Sequence, residues 1–472
     1  MSAAVPSGPA AGGGVVVVDE LAAVLSPGAL VVDSVALLAR SHDEAAAPAA
    51  DGPGALALVR ARDVADVSAT LRVAHAHGVP VVPQGALSGL AGAADAVPGC
   101  LLLDLSGMDR VLRIDPVDQV AVVEPGVLVA DLQAAAAAAG LFYPPDPASA
   151  ARATVGGTIA TNAGGMRCVK YGVTRDFVRS LQVVLADGTV IDTRAATVKA
   201  VAGYDLTGLV VGSEGTLAVV TQATLRLLPA PGPERGVSAS FGSVESALAA
   251  AAQIVAGEHG PSTLELLDGV VAGAVARYAP SAGVPSDAGA WLLAVTDERG
   301  DAGPTLDAYA AAMRSAGALQ VDIGSSPEAL DGLLAARRAF QPAMRALRGG
   351  SLNGDVSVPR SQLGALITRL GEIAERHGVL VATGGHVGDG NLHPVVAFDP
   401  DDPAQATAAR AAMHDVLLLA RSLGGTVTGE HGIGVEKLEA LDSELGPEVR
   451  ALQRAIKSAF DPSAILNPGK KL

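Results

Sequence analysis

The segment GGHVGDGNLHP, residues 384–394, constrains the fold of this chain more than any other stretch. Asp389 and Gly390 form a dipeptide typical of two-residue β-hairpin turns. If they occupy the centre of such a turn, His386 lies directly opposite His393 on the neighbouring strand. Directly opposed residues have Cβ atoms about 4.5 to 5.5 Å apart, a separation from which two imidazoles can bind one divalent ion. The segment therefore predicts a hairpin that carries a pair of metal-ligating histidines.

A glycine-rich segment, PQGALSGLAG, follows a predicted strand at residues 83–92. With three glycines in the loop, successive backbone N–H groups can converge on an anion such as a pyrophosphate. The spacing does not match G-x-G-x-x-G, so a nicotinamide-binding Rossmann fold is disfavoured. A loop that only turns the chain remains an alternative for this segment.

A second segment of small residues, ATVGGTIATNAGGMRCVKYGVTRD, runs from residue 153 to residue 176. It is too long for a single turn, and its small side chains let the backbone lie flat against a large planar ligand. Thr161 and Asn162 offer hydrogen bonds to the polar edge of such a ligand. A third glycine loop, VVGSEGTLAVVT at residues 210–221, precedes a strand and taken alone would be structural.

The segment TGEHGIGVEK, residues 428–437, contains a candidate third metal ligand. Glu430 has a hard carboxylate oxygen that would complete a His, His, Glu site of the catalytic type, with open coordination positions. His431 would then be free to move protons. Without the histidine hairpin, the segment is also typical of a glycine-rich strand-to-helix turn in which Glu430 is solvated.

Charge and composition exclude several classes of protein. The chain has 33 Lys and Arg against 49 Asp and Glu, and its net charge of −16 disfavours nucleic acid as a partner. No window of about 18 apolar residues is free of charges, Gly and Pro, so we expect no transmembrane span. Cys100 and Cys168 are too few for a disulfide framework or an iron–sulfur cluster.

Predicted strands and helices alternate along the chain. LALVRA, a helix that ends at Gly78, and VPVVPQG predict a β-α-β unit, and the dipeptide Asp187-Gly188 predicts a type I′ hairpin turn. A Pro- and Gly-rich stretch at residues 229–236 is typical of a domain boundary. The predicted parts are an N-terminal lead-in and helical segment at 1–50, a second domain at 51–232 and a third domain at 233–472.

The chain resembles FAD-linked oxidases of the vanillyl-alcohol-oxidase type. The resemblance lies in NPGK at residues 467–470 and in the five segments described above, at 83–92, 153–176, 210–221, 384–394 and 428–437. The resemblance runs from about residue 55 to the C-terminus. It is strongest to the branch with D-lactate dehydrogenase, the glycolate oxidase large subunit and D-2-hydroxyglutarate dehydrogenase. It implies an α+β fold, in which a two-subdomain FAD-binding domain at 51–232 is followed by an α+β FAD-linked oxidase C-terminal domain. It also implies noncovalent FAD, because the loop at 83–92 lacks the histidine to which related enzymes commonly attach the flavin.

The resemblance implies three groups of site residues. The implied ligands of a divalent metal, often zinc, are His386, His393 and Glu430. The implied catalytic residues are the base His431, Asn391 near the substrate, and Arg337, which binds the substrate carboxylate. Arg338 is the alternative to Arg337 for this role. The implied cofactor-binding residues are Pro83, Gln84, Gly85, Ala86, Leu87, Ser88, Gly89, Leu90, Thr154, Gly157, Thr161, Asn162, Gly164, Gly165, Glu214, Gly215, Leu217 and Asn467.

The implied function is that of an FAD- and divalent-metal-dependent dehydrogenase. It would oxidise a D-2-hydroxy acid, with D-lactate or glycolate favoured, to the 2-oxo acid by hydride transfer to flavin N5. The electron acceptor stays open among a quinone, a cytochrome, an electron-transferring flavoprotein, an iron–sulfur subunit and oxygen. The expected location is the cytoplasm, or the periphery of the membrane if the acceptor lies there, and a homodimer is one open oligomeric state.

Four alternative functions stay open at this point. D-2-hydroxyglutarate dehydrogenase is less favoured, because Gln341 and Asn353 stand where those enzymes carry a Thr and a Lys that touch the substrate. A non-redox flavoenzyme of the ether-lipid synthase type would use the same fold. A metal-dependent hydrolase would require the glycine loops to be structural. A noncatalytic flavoprotein subunit would require a vestigial His, His, Glu set.

Overall fold

The structure is a computed structural model and describes residues 13–45 and 54–472; the predicted lead-in before residue 13 lies outside the described residues. The helices are α1 (Gly13–Val24), α2 (Ser34–Leu38), α3 (Val64–His77), α4 (Val129–Ala138), α5 (Val155–Thr161), α6 (Cys168–Tyr171), α7 (Leu206–Val210), α8 (Val244–Ala256), α9 (Gly269–Tyr278), α10 (Gly303–Ser315), α11 (Pro327–Arg348), α12 (Leu363–His377), α13 (Pro403–Ser422), α14 (Leu438–Glu444) and α15 (Pro447–Phe460). The strands are β1 (Leu30–Val31), β2 (Ala57–Arg60), β3 (Val81–Gln84), β4 (Leu101–Asp104), β5 (Val111–Asp115), β6 (Val120–Val123), β7 (Leu141–Phe142), β8 (Val178–Val184), β9 (Val190–Asp192), β10 (Val219–Arg226), β11 (Leu228–Pro229), β12 (Arg235–Phe241), β13 (Thr263–Asp268), β14 (Ala290–Thr296), β15 (Ala318–Gly324), β16 (Gly350–Asn353), β17 (Val356–Ser357), β18 (Leu380–His386) and β19 (Asn391–Phe398). None of these described helices is both long enough and apolar enough to cross a bilayer.

The described chain divides into two compact units. The first contains the described residues up to Gly164, then Val173–Ala230 and Glu430–Leu472. The second contains Gly165–Gly172 and Pro231–Gly429. The chain passes from Val173–Ala230 of the first unit to Pro231–Gly429 of the second inside the Pro- and Gly-rich stretch at residues 229–236. The segment Gly165–Gly172 belongs to the second unit and Glu430–Leu472 to the first, so a single boundary at residue 232 does not separate the two units.

The first unit contains a mixed sheet and an antiparallel sheet. The mixed sheet has the order β1-β2-β4-β3, in which β2 and β3 run parallel to β4. The helix α3 connects β2 to β3. Asp63 caps its first turn by accepting hydrogen bonds from the N–H groups of Ala65 and Asp66, and the helix ends at Gly78, where φ is +64°. The predicted β-α-β unit is therefore confirmed, and the antiparallel sheet beside it has the order β5-β6-β10-β8-β9.

The hairpin between β8 and β9 forms as predicted, but its turn is of another type. A type I′ turn needs a positive φ at both central residues, and Gly188 has one (+84°) whereas Asp187 does not. The N–H of Leu185 donates to the carbonyl of Thr189 at 2.9 Å, which closes a longer loop. The carboxylate of Asp187 accepts the N–H of Thr189 at 2.8 Å and stabilises that loop. The prediction of a type I′ turn is wrong.

The second unit is built on an eight-stranded antiparallel sheet with the order β15-β12-β14-β13-β18-β19-β16, in which β17 also pairs with β19. The central strands β13 and β14 are buried along their whole length, because both faces of the sheet are covered there. Helices α9 and α11 cover one face, where Trp291 and Phe340 belong to a shared apolar core. Glu265 on β13 is a charged residue within these buried strands.

Candidate active site

A cavity of about 370 Å³ lies in the first unit. Its walls come from the loop after β3, from α5 and the residues before it, and from the segment between α7 and β10. Two of the glycines in these walls have no room for a side chain. A Cβ on Gly156 would lie 2.6 Å from Pro125 Cβ, and one on Gly85 would overlap the hydroxyl of Thr154. The glycines therefore bring the backbone itself to the surface of the cavity.

The loop after β3 presents backbone donors to this cavity. Within the described chain, the N–H groups of residues 85–90 donate no hydrogen bond to another protein atom. The carbonyls of Gly85 and Gly89 are already bonded, the first by Arg40 and the second by the N–H of Glu44. The loop thus offers a run of N–H groups to a ligand, and such a run suits a phosphate.

Most of the cofactor residues predicted from the sequence line the cavity. They are Pro83, Gln84, Gly85, Ala86, Leu87, Ser88, Gly89, Leu90, Thr154, Gly157, Thr161, Glu214 and Gly215. The predicted residues that do not line it are Asn162, Gly164, Gly165, Leu217 and Asn467. Asn162 Oδ1 instead accepts the N–H of Arg175, and Asn467 Nδ2 donates to the carbonyls of Ala93 and Glu214. These two amides have roles within the protein fold.

Three charged residues of the cavity wall were not predicted from the sequence. Asp43 and Glu44 follow α2, and Glu44 forms an ion pair with Arg152, which also lines the cavity. Burial, together with the nearby charge of Asp95, raises the pKa of Asp43 to about 6. These residues stand outside every motif, so no local signal in the sequence indicated them.

Glu214 fixes the segment that carries His431. Its buried carboxylate accepts hydrogen bonds from the N–H groups of Ile433, at 2.8 Å, and Gly434, at 2.7 Å. Glu430 and His431 both lie in the cavity wall. The first unit therefore holds the candidate base at the cavity through backbone hydrogen bonds to Glu214.

The predicted histidine hairpin forms between β18 and β19, but its register differs by two residues. His386 pairs with Asn391 and His393 pairs with Gly384, so that the loop between the strands has four residues instead of two. The N–H of Gly390 donates to the carbonyl of His386 at 3.1 Å and closes this longer loop. The prediction of directly opposed histidines is wrong. Because a shift of two residues keeps each side chain on its face of the sheet, the buried imidazoles still converge, with their Nε2 atoms 3.3 Å apart.

Glu265 stands beside the histidine pair on β13, where it pairs with His386. Its side chain is completely buried, and Oε1 accepts a hydrogen bond from His386 Nδ1 at 2.5 Å. This bond leaves Nε2 of His386 as the lone-pair nitrogen, which faces His393. Burial opposes the charged carboxylate, but the interactions with His386 and Arg337 hold the pKa of Glu265 below its ordinary value.

The structure distinguishes between the two arginines considered for the substrate. Arg337 Nε donates to Glu265 Oε2 at 2.5 Å, and its side chain is 16% exposed. Its guanidinium carbon lies 5.6 Å from the ring centre of Phe340. Arg338 is 55% exposed and pairs with Asp331 at 2.9 Å. Arg337 is therefore the arginine that belongs to the same cluster as the histidine pair.

Asp355, which no motif indicated, organises the residues around Asn391. Its buried carboxylate accepts hydrogen bonds from Asn391 Nδ2 at 2.8 Å, from Thr428 Oγ1 at 2.9 Å and from the N–H of Gly429 at 3.0 Å. The Oδ1 of Asn391 is buried and accepts no hydrogen bond from the described residues. Gly429 is the last residue of the second unit, and Glu430 follows it in the chain.

Comparisons with known proteins agree with this architecture. Residues 231–471 match the family described as FAD linked oxidases, C-terminal domain, and residues 55–194 match the family described as FAD binding domain. The glycolate oxidase subunit GlcD of Bacillus subtilis is 38% identical over 420 residues, which are 88% of this chain and 88% of that protein. The D-lactate dehydrogenase of Anaerostipes hadrus is 34% identical over 438 residues, which are 91% of this chain and 92% of that protein.

Solved structures share the fold at low sequence identity. A p-cresol methylhydroxylase with substrate bound superposes with a TM-score of 0.79 at 19% identity, over 98% of each chain. An alkyldihydroxyacetonephosphate synthase superposes with a TM-score of 0.75 at 18% identity, over 98% of this chain and 86% of the other. Likeness at this level of identity concerns the fold alone, and it confirms the α+β architecture of the vanillyl-alcohol-oxidase type. This chain belongs to the family of FAD-linked oxidases.

Proposed function

We propose that this protein is an FAD- and metal-dependent dehydrogenase that oxidises a 2-hydroxy acid to the 2-oxo acid. The observation that carries the proposal is the buried pair of imidazole nitrogens, 3.3 Å apart, with Glu265 bonded both to His386 of this pair and to Arg337. Two relatives carry the names of such acids, since one is a glycolate oxidase subunit and the other a D-lactate dehydrogenase. D-lactate and glycolate are therefore the favoured substrates.

The histidine pair fits a divalent metal ion, for which zinc is our candidate. Two neutral imidazoles and one carboxylate form a ligand set of catalytic zinc sites, which keep an open position for the substrate. The proposed ligands are His386, His393 and Glu430, the residue that follows Gly429 in the chain. Glu265 supports this assignment, because its bond to Nδ1 of His386 selects the tautomer that a metal requires.

The cavity of the first unit fits FAD. The unused N–H groups of residues 85–90 suit the pyrophosphate, and the small residues around α5 line the same cavity and leave room for a ring system. The loop at 83–92 contains neither histidine nor cysteine, so noncovalent binding is proposed. The match of residues 55–194 to an FAD binding domain supports this assignment and argues against a hydrolase with purely structural glycine loops.

Each residue of the candidate site has a distinct task in this proposal. A bound FAD supplies a hydride acceptor, and a bound divalent ion supplies a Lewis acid that lowers the pKa of the substrate hydroxyl. Arg337 binds the substrate carboxylate through its Nη groups, because its Nε is held by Glu265. His431 removes the hydroxyl proton, which prevents positive charge from building up at Cα as the C–H bond breaks. Asn391, held by Asp355, offers its Oδ1 to the substrate.

The reduced cofactor needs an electron acceptor as a partner. A quinone, a cytochrome, an electron-transferring flavoprotein or an iron–sulfur subunit would serve this purpose. The proposed location is the cytoplasm, or the periphery of the membrane where the acceptor is found there.

Anaerobic flavin reduction tests the proposal. The FAD-loaded protein is mixed with D-lactate, L-lactate, glycolate or D-2-hydroxyglutarate, with and without a chelator, and its absorbance is followed between about 350 and 500 nm. We expect D-lactate or glycolate to bleach the flavin band, and metal removal to abolish the bleaching. Protein without a flavin band would overturn the cofactor assignment. A flavin band that none of these acids bleaches would overturn the substrate class.

Replacement of His431 by Ala tests the proposed base. We expect the rate of flavin reduction to fall by about 10² to 10⁴-fold, the usual contribution of general base catalysis, while FAD stays bound. The matched control is His414→Ala, which removes an exposed imidazole of α13. An H431A protein with the wild-type reduction rate would contradict the assignment of His431.

A further inference from the structure

We propose that Glu265 couples the metal site to the substrate-carboxylate site, because one carboxylate orients His386 as a metal ligand and Arg337 as the substrate-binding arginine. This inference rests on the proposed function, which assigns the metal to His386 and the substrate to Arg337. Glu265 touches neither ligand in that scheme and is therefore a positioning residue.

The sheet places Glu265 where one carboxylate can serve both residues. Glu265 lies within β13, paired with His386 on β18 and with Leu293 on β14. None of its side-chain surface is exposed. A buried carboxylate is stable only when its oxygens are bonded to strong donors. Oε1 is bonded by His386 Nδ1 and Oε2 by Arg337 Nε, each at 2.5 Å.

Each of these two bonds restrains its donor in the way that the proposed task needs. Because His386 donates from Nδ1, its ring orientation is fixed, and Nε2 keeps its lone pair 3.3 Å from His393 Nε2. Because Arg337 donates from Nε, the plane of its guanidinium is fixed, and its Nη groups form an edge for a carboxylate. The ring of Phe340, 5.6 Å from the guanidinium carbon, supports that plane.

The two tasks share one negative charge, so they are not independent. A cation on Nε2 of His386 strengthens the bond from Nδ1 to Glu265 and draws the carboxylate charge away from Arg337. The Nη groups of Arg337 then attract an anion more strongly. By thermodynamic reciprocity, an anion bound at Arg337 raises the metal affinity of His386 by the same factor.

Titration with Co²⁺ tests the positioning role. The FAD-loaded full chain without substrate is compared with E265Q, in which the amide keeps the size of Glu265 but cannot accept both hydrogen bonds with charged oxygens. We expect the Co²⁺ affinity to fall about 10 to 100-fold and the visible spectrum of bound Co²⁺ to change. The KM for glycolate should rise in the same variant, because Arg337 is no longer held.

The matched control is Asp268→Asn. Asp268 is another buried carboxylate of β13, but its hydrogen bonds come from the backbone N–H groups of Val271 and Thr383. D268N should keep the Co²⁺ affinity within about twofold, since it shares no partner with the histidine pair. Equal losses in E265Q and D268N would reduce the role of Glu265 to that of any buried carboxylate and overturn the inference.

Replacement of Arg337 by Met isolates the coupling. We expect R337M to raise the Co²⁺ affinity about fivefold in the wild-type background, because Glu265 then interacts with His386 alone. In the E265Q background the same substitution should leave the affinity unchanged. An equal increase in both backgrounds would assign the effect to the charge of Arg337 alone and overturn the coupling.

The outcomes separate this inference from the proposed function. E265Q with wild-type Co²⁺ affinity would overturn the inference and leave the proposed function standing. A wild-type protein that binds no Co²⁺ would overturn the proposed metal function and the inference with it. If circular dichroism shows that E265Q does not fold, E265D replaces it, because its shorter side chain cannot reach both donors. Wild-type Co²⁺ affinity in E265D would then overturn the inference.

Discussion

The two units build their candidate sites from different parts of the chain. In the first unit, the loop after β3 offers the backbone N–H groups of residues 85–90 to the cavity. In the second unit, the candidate site consists of side chains from three strands and one helix, which are the buried Glu265, His386 and His393 and the partly exposed Arg337. A backbone site depends on the absence of side chains, whereas a side-chain site depends on their chemistry and on strand register. The first should therefore be sensitive to added volume and the second to lost functional groups.

Removal of an imidazole should give the largest effect. We expect His393→Ala to lower the metal affinity by more than the roughly 100-fold that the loss of a supporting contact causes, because one of the metal ligands itself is lost. Metal content after dialysis and titration with Co²⁺ measure this effect. The FAD content should not change, since the cavity belongs to the first unit. An H393A protein that retains its metal would contradict the assignment of His393 as a metal ligand.

The carboxyl group of Asp268 gives a pH test of stability in the second unit. Burial raises the pKa of Asp268 to about 6. Because this pKa exceeds that of the unfolded chain, the stabilising contribution is fully present at low pH and is lost as the pH rises through about 6. As the pH rises from about 4 to 7, the unfolding free energy of the wild type should fall by roughly 3 kcal/mol relative to that of D268N, because Asn does not titrate. Urea unfolding measures the difference, and a pH-independent difference would contradict the expectation.

The two neighbouring arginines of α11 provide a matched pair. We expect R337K to raise the KM for the 2-hydroxy acid about 10 to 100-fold, because Lys lacks the planar guanidinium that bonds Glu265 from Nε and presents its Nη groups to a carboxylate. R338K, which changes an exposed arginine paired with Asp331, should stay within about twofold of wild type. Steady-state kinetics with an artificial electron acceptor measure both values. Equal effects of the two substitutions would show that position in the cluster does not matter.

Added volume in the first unit should give the smallest of these effects. Gly156→Ala introduces a Cβ 2.6 Å from Pro125 Cβ, and the overpacking should cost about 1 to 3 kcal/mol and loosen FAD binding. The control is Gly371→Ala within α12, where a Cβ meets no atom within 4 Å and should stabilise the helix by about 0.5 to 1 kcal/mol. Thermal unfolding and flavin content measure both variants. A G156A protein as stable as G371A would contradict the conclusion that the cavity wall has no room for a side chain at Gly156.

The sequence predicted those features that depend on a few neighbouring residues. The helix that ends at Gly78 and the glycine loop at residues 83–92 follow from local turn and capping chemistry. The convergence of His386 and His393 was also predictable, because any register shift by two residues keeps both side chains on one face. The register itself was not, since it depends on the bond from the Gly390 N–H to the His386 carbonyl, which a four-residue loop requires.

By itself, the sequence determined which residue types are present and which face of a strand or helix each occupies. Only the tertiary structure decided the partner of each buried charge. Glu265 is 121 residues from His386 in the chain, and Asp355 is 74 residues from Gly429, yet each pair is joined by a hydrogen bond. Arg337 and Arg338 are adjacent on α11, and only Arg337 is bonded to Glu265. Local propensities act over a few residues, whereas a buried charge needs a partner that only the folded chain brings to it.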